Sequence, residues 1–410
     1  MPNTAATALF AGVFAFRYVR AVVAIPTYML SKPIPIQETP KYTGQDVSVV
    51  IPTTFKSPEN LLKCLQTITA CSPAAILIVT ADANVDNIAK YCRDNSIKVK
   101  VLGIPALHKR EQILKVLPEI RTPISVLADD DVFWPPRFLD YLLAVFEDPN
   151  VGAGGPRQRV RRNDNPDFWN FLGIGYLERR VWNNLATNVL DGSISTLSGR
   201  TAAYRTKILQ SEDFMDYFRN DSWNGQRLNS DDDKCLTRYV YAQGWKIAIQ
   251  PDRRATIETT VESGHLYIAQ CLRWARAHWR GNFTVMSTET YWFSPRHIWG
   301  FYYIYASQFQ TPSLIWDLLV FLALRYMIRD MDIDATACYL ALAIWIFFLK
   351  IVKLVPHFCR YPQDLVYVPA SILFGYAHGF LNVYSALTLN QTQWGSQALK
   401  ELAQDKNKSG

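Results

Sequence analysis

Three consecutive aspartates, Asp129, Asp130 and Asp131, follow the apolar run Ile124 to Ala128 and precede Val132 and Phe133. Carboxylates at a strand's carboxyl end can hold Mg2+ or Mn2+ against a diphosphate, because hard cations take oxygen ligands and need not be enclosed by protein. Such a cation would offset charge on a departing nucleoside diphosphate; the bland alternative is a triple aspartate on a solvated turn. A second triplet, Asp231, Asp232 and Asp233, opens a helical stretch from Lys234 to Tyr241. A helix N-terminus stabilises carboxylates in its first turn, so capping explains part of this cluster, whereas one of the three could instead serve as general base towards a sugar hydroxyl. The third cluster runs from Gln270 to Arg280. On a helix Gln270 and Trp274 share a face, and Arg273, Arg276 and Arg280 form a cationic row. An amide, an indole and guanidiniums side by side suit a sugar stacked beside a diphosphate, although an interfacial helix whose arginines meet lipid headgroups has the same composition.

These clusters need elements to position them. From Asp46 to about residue 285, short Val/Ile-rich runs alternate with helical periodicity, the pattern of an α/β domain with a mostly parallel sheet. Val47 to Ile51, Ala75 to Val79, Val99 to Leu102 and Ile124 to Leu127 read as strands, and Asn60 to Thr69 as a helix. Ligands of such sheets sit beyond the strands' carboxyl ends, where the first aspartate triplet falls. Residues 1–30 read as an N-terminal membrane helix despite Arg17 and Arg20, with a helix lying on the membrane surface as the alternative. The organisation expected is a linker over 31–45, a catalytic domain over 46–265, interfacial helices over 266–298, transmembrane or re-entrant helices over 299–389 and a tail over 390–410. Three apolar blocks fill the C-terminal third: Trp299 to Tyr326, Ala335 to Val355 and Leu365 to Leu389. Asp317 within the first implies that part of it faces protein or a polar cavity. Pro369, Gly375 and Gly379 suggest that the last block re-enters or lies at the interface. Lys350, Lys353, His357 and Arg360 put the end of the second block in the cytosol with the catalytic domain.

The order of motifs resembles the processive family 2 glycosyltransferases, the group of hyaluronan, chitin and cellulose synthases, and most of all the hyaluronan-synthase-like enzymes. Its carriers are Asp129-Asp130-Asp131, Ser198-Gly199 followed by Tyr204-Arg205, Asp232-Asp233-Lys234-Cys235-Leu236-Thr237, Gln270 to Trp274, and Trp394-Gly395-Ser396. The resemblance implies an α/β fold of GT-A type, binding a nucleotide sugar and combined with α-helical transmembrane and interfacial segments. It implies an inverting transfer from a UDP-sugar to a growing polysaccharide, with Mn2+ or Mg2+ as cofactor. Asp129 and Asp131 would take the DxD roles towards donor and metal, Asp233 the base, and Asp232 stands as the base's runner-up. Pro52, Thr53, Thr54, Asp82, Lys109, Arg110, Asp130, Gln270, Arg273 and Arg276 would contact the donor, Ser198, Gly199 and Trp274 the acceptor, and Trp394 would gate the site. The chain departs from the family pattern at His108 in place of glycine, at Arg200-Thr201-Ala202-Ala203 in place of Pro-Leu-Gly-Met, and at Ser396 in place of threonine.

Composition narrows the choice. The chain of 410 residues is 49% hydrophobic and carries 43 basic against 36 acidic side chains, a net charge of +7. That balance suits diphosphates and a lipid bilayer and is too mild for nucleic acid. No GxGxxG follows the first strand, which argues against a nicotinamide enzyme. Seven cysteines without a CxxC pair fit a reducing, cytosol-facing domain. An integral membrane protein of the plasma membrane is the expectation, and a homo-oligomer is compatible with it. The alternatives are a non-processive transferase acting on lipid or protein, and a catalytically silent membrane scaffold.

Overall fold

The structure, a computed structural model, describes residues 4–392. Twelve strands occur in chain order: β1 (Val47–Pro52), β2 (Ala75–Ala81), β3 (Lys100–Ile104), β4 (Ile124–Ala128), β5 (Val132–Phe133), β6 (Val151–Gly155), β7 (Gln158–Val160), β8 (Thr201–Arg205), β9 (Ser222–Trp223), β10 (Gln226–Arg227), β11 (Lys246–Ile249) and β12 (Ile257–Thr259). Seven form the central sheet in the order β11-β6-β8-β4-β1-β2-β3. The sheet is parallel except for β8, which runs antiparallel to both β4 and β6. A strand covered on both faces must be apolar throughout, and β1 is: Val49, Val50 and Ile51 are fully buried, each stabilising the fold by roughly 1.5–3 kcal/mol. The four strands and the helix read from the sequence are all present, the helix as Pro58–Thr69 with proline in its first turn.

One face of the sheet packs against helices Pro58–Thr69, Val85–Asp94 and Phe138–Leu143 through Leu61, Ile88 and Phe138. The other packs against Lys109–Val116, Phe168–Asp191 and Asp232–Ala242 through Ile113, Leu185 and Leu236. The last turns of the N-terminal helix Thr4–Leu30 join that second core, where Tyr28 stacks on Trp182 with ring centroids 3.8 Å apart. The catalytic domain and this first apolar helix are therefore fastened together.

Among the described residues two helices are long and apolar enough to cross a membrane, Thr4–Leu30 and Ala335–Phe358. The block read from Trp299 to Tyr326 is not one helix: Pro295–Gln310 and Ser313–Ile328 meet at 89°. The block ending at Leu389 is an uninterrupted helix, Val368–Leu387, because Pro369 falls in its first turn, where its missing N–H costs nothing. Asp317 ties these helices together. Its carboxylate pairs with Arg17 at 2.9 Å and Lys350 at 3.4 Å and accepts from the hydroxyls of Tyr18 at 3.1 Å and Tyr376 at 3.0 Å. Arg17 and Arg20 thus find protein partners, Arg17 at Asp317 and Arg20 at the Ser307 hydroxyl, 3.2 Å away.

Asp221 plays the corresponding part in the catalytic domain, between Arg110 and Arg238, each at 2.7 Å. Burial would push its carboxyl up, but the charges of Arg238 and Arg110 outweigh burial and hold it below the ordinary range. A depressed carboxyl stabilises the fold above its unfolded pKa, and that contribution fades as pH falls through the folded value. Asp221→Ala leaves two buried guanidiniums unpaired, a loss of about 3–5 kcal/mol. Thermal unfolding in detergent at pH 7 should show a large drop in midpoint, and an unchanged midpoint would contradict this role.

Candidate active site

The carboxyl ends of β1 and β4 and the N-terminus of helix Asp232–Ala242 converge on a cleft of about 240 Å³. Both aspartate triplets line it, together with Pro52, Thr53, Thr54, Lys109, Ser198, Gly199, Gln270, Arg273 and Trp274. At its centre the Lys109 ammonium lies 2.9 Å from Asp129 Oδ1 and 3.2 Å from Asp232 Oδ2, bridging the two triplets. Burial would pull this ammonium down, but Asp129 and Asp232 outweigh it and hold it above its ordinary value.

The first triplet fans out because each carboxylate has its own partner. Asp129 faces Lys109, Asp130 accepts from the Thr53 hydroxyl, and Asp131 accepts from the Thr260 hydroxyl. Gln112 pins the turn after β1 by donating to the carbonyls of Thr53 at 3.1 Å and Val79 at 2.7 Å. Burial and the neighbouring charge of Asp129 push the Asp131 carboxyl up to about 6, and burial raises Asp130 as well.

The second triplet is divided in the same way. Asp231 occupies the N-cap position in left-handed conformation, yet its side chain makes no cap bond. Arg280 takes it instead, donating at 2.8 and 3.0 Å. Arg280 also donates to the carbonyls of Leu389 at 2.9 Å and Gln391 at 3.2 Å, which holds the chain beside Asp231 just before the described residues end. Asp233 is left facing the cleft, with its carboxyl raised by burial and by the charge of Asp232. Lys234 turns the opposite way, onto Ser195 and Asn282, and burial pulls it down to about 7. Gly281 gives its stem room, since a Cβ there would lie 2.7 Å from Lys234 Cδ.

Three residues expected at the donor sit elsewhere. Arg110, adjacent to Lys109 on a helix and so about 100° away around it, is fully buried and anchors Asp221 and the carbonyls of Phe218 and Ser230. Arg276 donates to the Thr388 hydroxyl at 3.1 Å, because the helix Val368–Leu387 covers that side of Gly264–Thr288. Asp82 is exposed directly after β2 and does not line the cleft. Trp394 lies outside the described residues. Conversely, Arg180, Arg200 and Thr260 line the cleft without having been singled out as site residues. Arg200 stands at a departure from the family pattern, and its guanidinium lies 5.1 Å from the Trp274 ring, which stacks on Tyr176. His108, the other departure nearby, is the N-cap of helix Lys109–Val116 and accepts from the Glu111 N–H.

Mixed sheet, paired acidic clusters at its carboxyl edge and a tryptophan-bearing helix across the cleft define a glycosyltransferase of GT-A fold. Residues 44–277 match the family described as Glycosyltransferase like family 2, and the chain belongs to that family. It is 40% identical over 392 residues to a type 2 glycosyltransferase of Zymoseptoria tritici, covering 95% of this chain and 83% of that protein. To the hyaluronan synthase of Streptococcus pyogenes it is 23% identical over 369 residues, covering 86% and 83%. A solved mannosyltransferase from Pyrobaculum calidifontis, in complex with GDP-Man and Mn2+, shares the fold with a TM-score of 0.57 and 16% identity, over 93% of this chain and 99% of that one.

Removing the bridging cation should reveal the repulsion it relieves. Lys109→Met removes the only cation shared by Asp129 and Asp232 among the described residues and lowers the unfolding midpoint at pH 7.5. The loss should shrink at pH 5.5, because Asp131, whose carboxyl is pushed up to about 6, takes up a proton there and the repulsion falls. Equal loss at both pH values, read by thermal unfolding, would contradict the bridge.

Proposed function

We propose that this family 2 glycosyltransferase is a membrane polysaccharide synthase that moves a sugar from a UDP-sugar to a growing glycan with inversion. The observation that carries the reading is the bridged pair of triplets in a cleft that shares Arg180, Asp233, Trp274 and Ala277 with a larger chamber of about 530 Å³ reaching the apolar helices. Donor and acceptor then meet at Asp233. The acceptor hydroxyl adds to the anomeric carbon, the bond from that carbon to the diphosphate oxygen breaks, and the hydroxyl proton passes to Asp233. A carboxyl with a raised pKa is a better proton acceptor at the moment of transfer. Asp232 is held by Lys109, which makes it the weaker candidate for that role. Lys109 and Arg273 line the cleft and would take up charge on the departing UDP, and Trp274, which lines both cavities, would border the acceptor sugar.

Among the described residues no three His, Cys, Asp or Glu side chains converge as a ready metal set. Asp129 and Asp131 nevertheless suit Mn2+ or Mg2+, which keeps few protein ligands and completes its shell with phosphate oxygens and water. The metal would supply charge neutralisation for the diphosphate. The basic end of Ala335–Phe358 touches the catalytic domain, with Lys353 donating to Asn183 and Arg360 pairing with Glu178 at 2.7 Å. By the positive-inside rule this supports a cytosolic catalytic domain, and export of the glycan from there favours the plasma membrane. Arg280 donates to the carbonyls of Leu389 and Gln391, and Trp394 is proposed as the gate from its place in the motif order alone.

Purified protein in detergent should release UDP from one or more radiolabelled UDP-sugars only with Mn2+ or Mg2+. Asp233→Asn and Asp131→Asn should each lower release by about 10²–10⁴-fold. Full activity in either variant would contradict the assignment. A product of one added sugar, in place of a ladder of lengths, would select the non-processive reading.

A further inference from the structure

Residues 195–199 run from the chamber into the cleft: Ser195 lines the first, Ser198 and Gly199 line the second, and Asp233 borders both. Helix Asp232–Ala242 holds this segment at every second residue. Lys234 donates to the carbonyl and the hydroxyl of Ser195, each at 2.9 Å, and the Thr237 hydroxyl accepts from the Leu197 N–H at 2.9 Å. Asp233 Oδ2 accepts from the Gly199 N–H at 3.5 Å. The third donation of the Lys234 ammonium goes to Asn282 Oδ1 at 3.0 Å, on the helix Gly264–Thr288 that also carries Trp274. Three donors thus meet three acceptors, and one side chain joins the segment, the helix of Asp233 and the helix of Trp274.

Packing alone does not call for this charge. Lys234 is 6% exposed and none of its three partners is a carboxylate. A buried ammonium is costly, and a methionine would fill the space of its stem without that cost. The niche is nevertheless shaped for it, because a Cβ at Gly281 would lie 2.7 Å from Lys234 Cδ. Its partners are oriented in turn: Asn282 donates to Gln308 Oε1 at 2.9 Å, and Ser195 Oγ lies 3.2 Å from His278 Nδ1.

The charges around the ammonium come from three elements. Asp231, Asp233 and Arg238 belong to its own helix and that helix's cap, Arg180 to Phe168–Asp191, and His278 to Gly264–Thr288. Burial, joined by Arg180 and Arg238, outweighs Asp233 and Asp231 and brings Lys234 down to about 7. Burial and the charge of Lys234 hold His278 well below its ordinary value, so His278 stays neutral. As pH rises through the Lys234 value the ammonium loses a proton, and with it one of its three donations.

We infer that Lys234 is a positioning residue for the acceptor, clamping residues 195–199 and the Trp274 helix to the helix of Asp233 so that the acceptor hydroxyl meets the base. This rests on the proposed transfer to an acceptor at Asp233 and names the group that aligns the acceptor there.

The test uses the full chain in detergent with Mn2+, a UDP-sugar it turns over, and oligosaccharides cut from its own product as acceptor. Two rates are read, UDP released and sugar transferred. In Lys234→Met transfer should fall about 10²-fold, and further than UDP release falls, because water replaces a misaligned hydroxyl at the anomeric carbon. UDP affinity, read by calorimetry, should not change. Gly281→Ala keeps every polar group, pushes the Lys234 stem aside and serves even where Lys234→Met does not fold. It should lower transfer relative to UDP release in the same way, and combined with Lys234→Met it should add nothing. Lys234→Arg should recover most of the transfer. It should also abolish the loss that the unaltered protein shows from about pH 6 to about pH 8, since a guanidinium does not titrate there.

Transfer and UDP release falling in step, unchanged transfer in Gly281→Ala, or no recovery in Lys234→Arg would each overturn the inference and leave the synthase reading standing. Failure of the unaltered protein to release UDP from any UDP-sugar would sink that reading, and this inference with it.

Discussion

One ammonium group holds the catalytic geometry together. Lys109 lies between Asp129, at the end of a sheet strand, and Asp232, at the start of a helix more than a hundred residues later. Without that cation, two clusters of like charge would face each other across a narrow, largely desolvated cleft, and their repulsion would favour opening it. With it, Asp129 and Asp232 share one positive charge, and Asp131 and Asp233 are left with raised carboxyls on the cleft walls. The fold thereby gives six neighbouring aspartates different surroundings: two share Lys109, one is tied to Arg280, one to Thr53 and one to Thr260, and Asp233 faces the cleft.

The fold was largely legible because its signals are local. β1, β2, β3 and β4 are short β-branched runs, and the aspartates that follow β4 could be placed at a carboxyl edge from periodicity alone. The positions of both triplets, Lys109, Gln270, Arg273 and Trp274 in one cleft follow from motif order. Where the reading went astray, tertiary packing chose among chemically similar groups. Arg110 and Arg276 carry the same charge as Lys109 and Arg273, but a helix presents neighbouring residues to different surroundings, and Asp221 and the last helix claimed them. Arg180 and Thr260 had no motif to mark them, since one lies within a long helix and the other follows a three-residue strand. The 89° bend at the centre of the apolar block beginning at Trp299 was not legible, because hydropathy does not register the direction of the chain.

The membrane side repeats the logic of the catalytic side on a larger scale. Asp317 gathers Arg17, Tyr18, Lys350 and Tyr376 from separate helices, so a single buried charge sets how those helices meet. The cations left over face the chamber, and the chamber joins the cleft at Asp233 and Trp274. Charged side chains thus continue from the cleft into the chamber that reaches the apolar helices. Family membership makes glycosyl transfer the chemistry, and the continuity of the two cavities is what favours a chain over a single added sugar.

The most direct test of the shared cleft is an experimental structure of the protein with UDP and Mn2+, with the metal located by its anomalous scattering. The account predicts the metal beside Asp129 and Asp131, the diphosphate against Lys109 and Arg273, and Asp233 free on the side facing the chamber. A nucleotide bound away from Lys109, with the two triplets drawn apart and no common space between them, would contradict it.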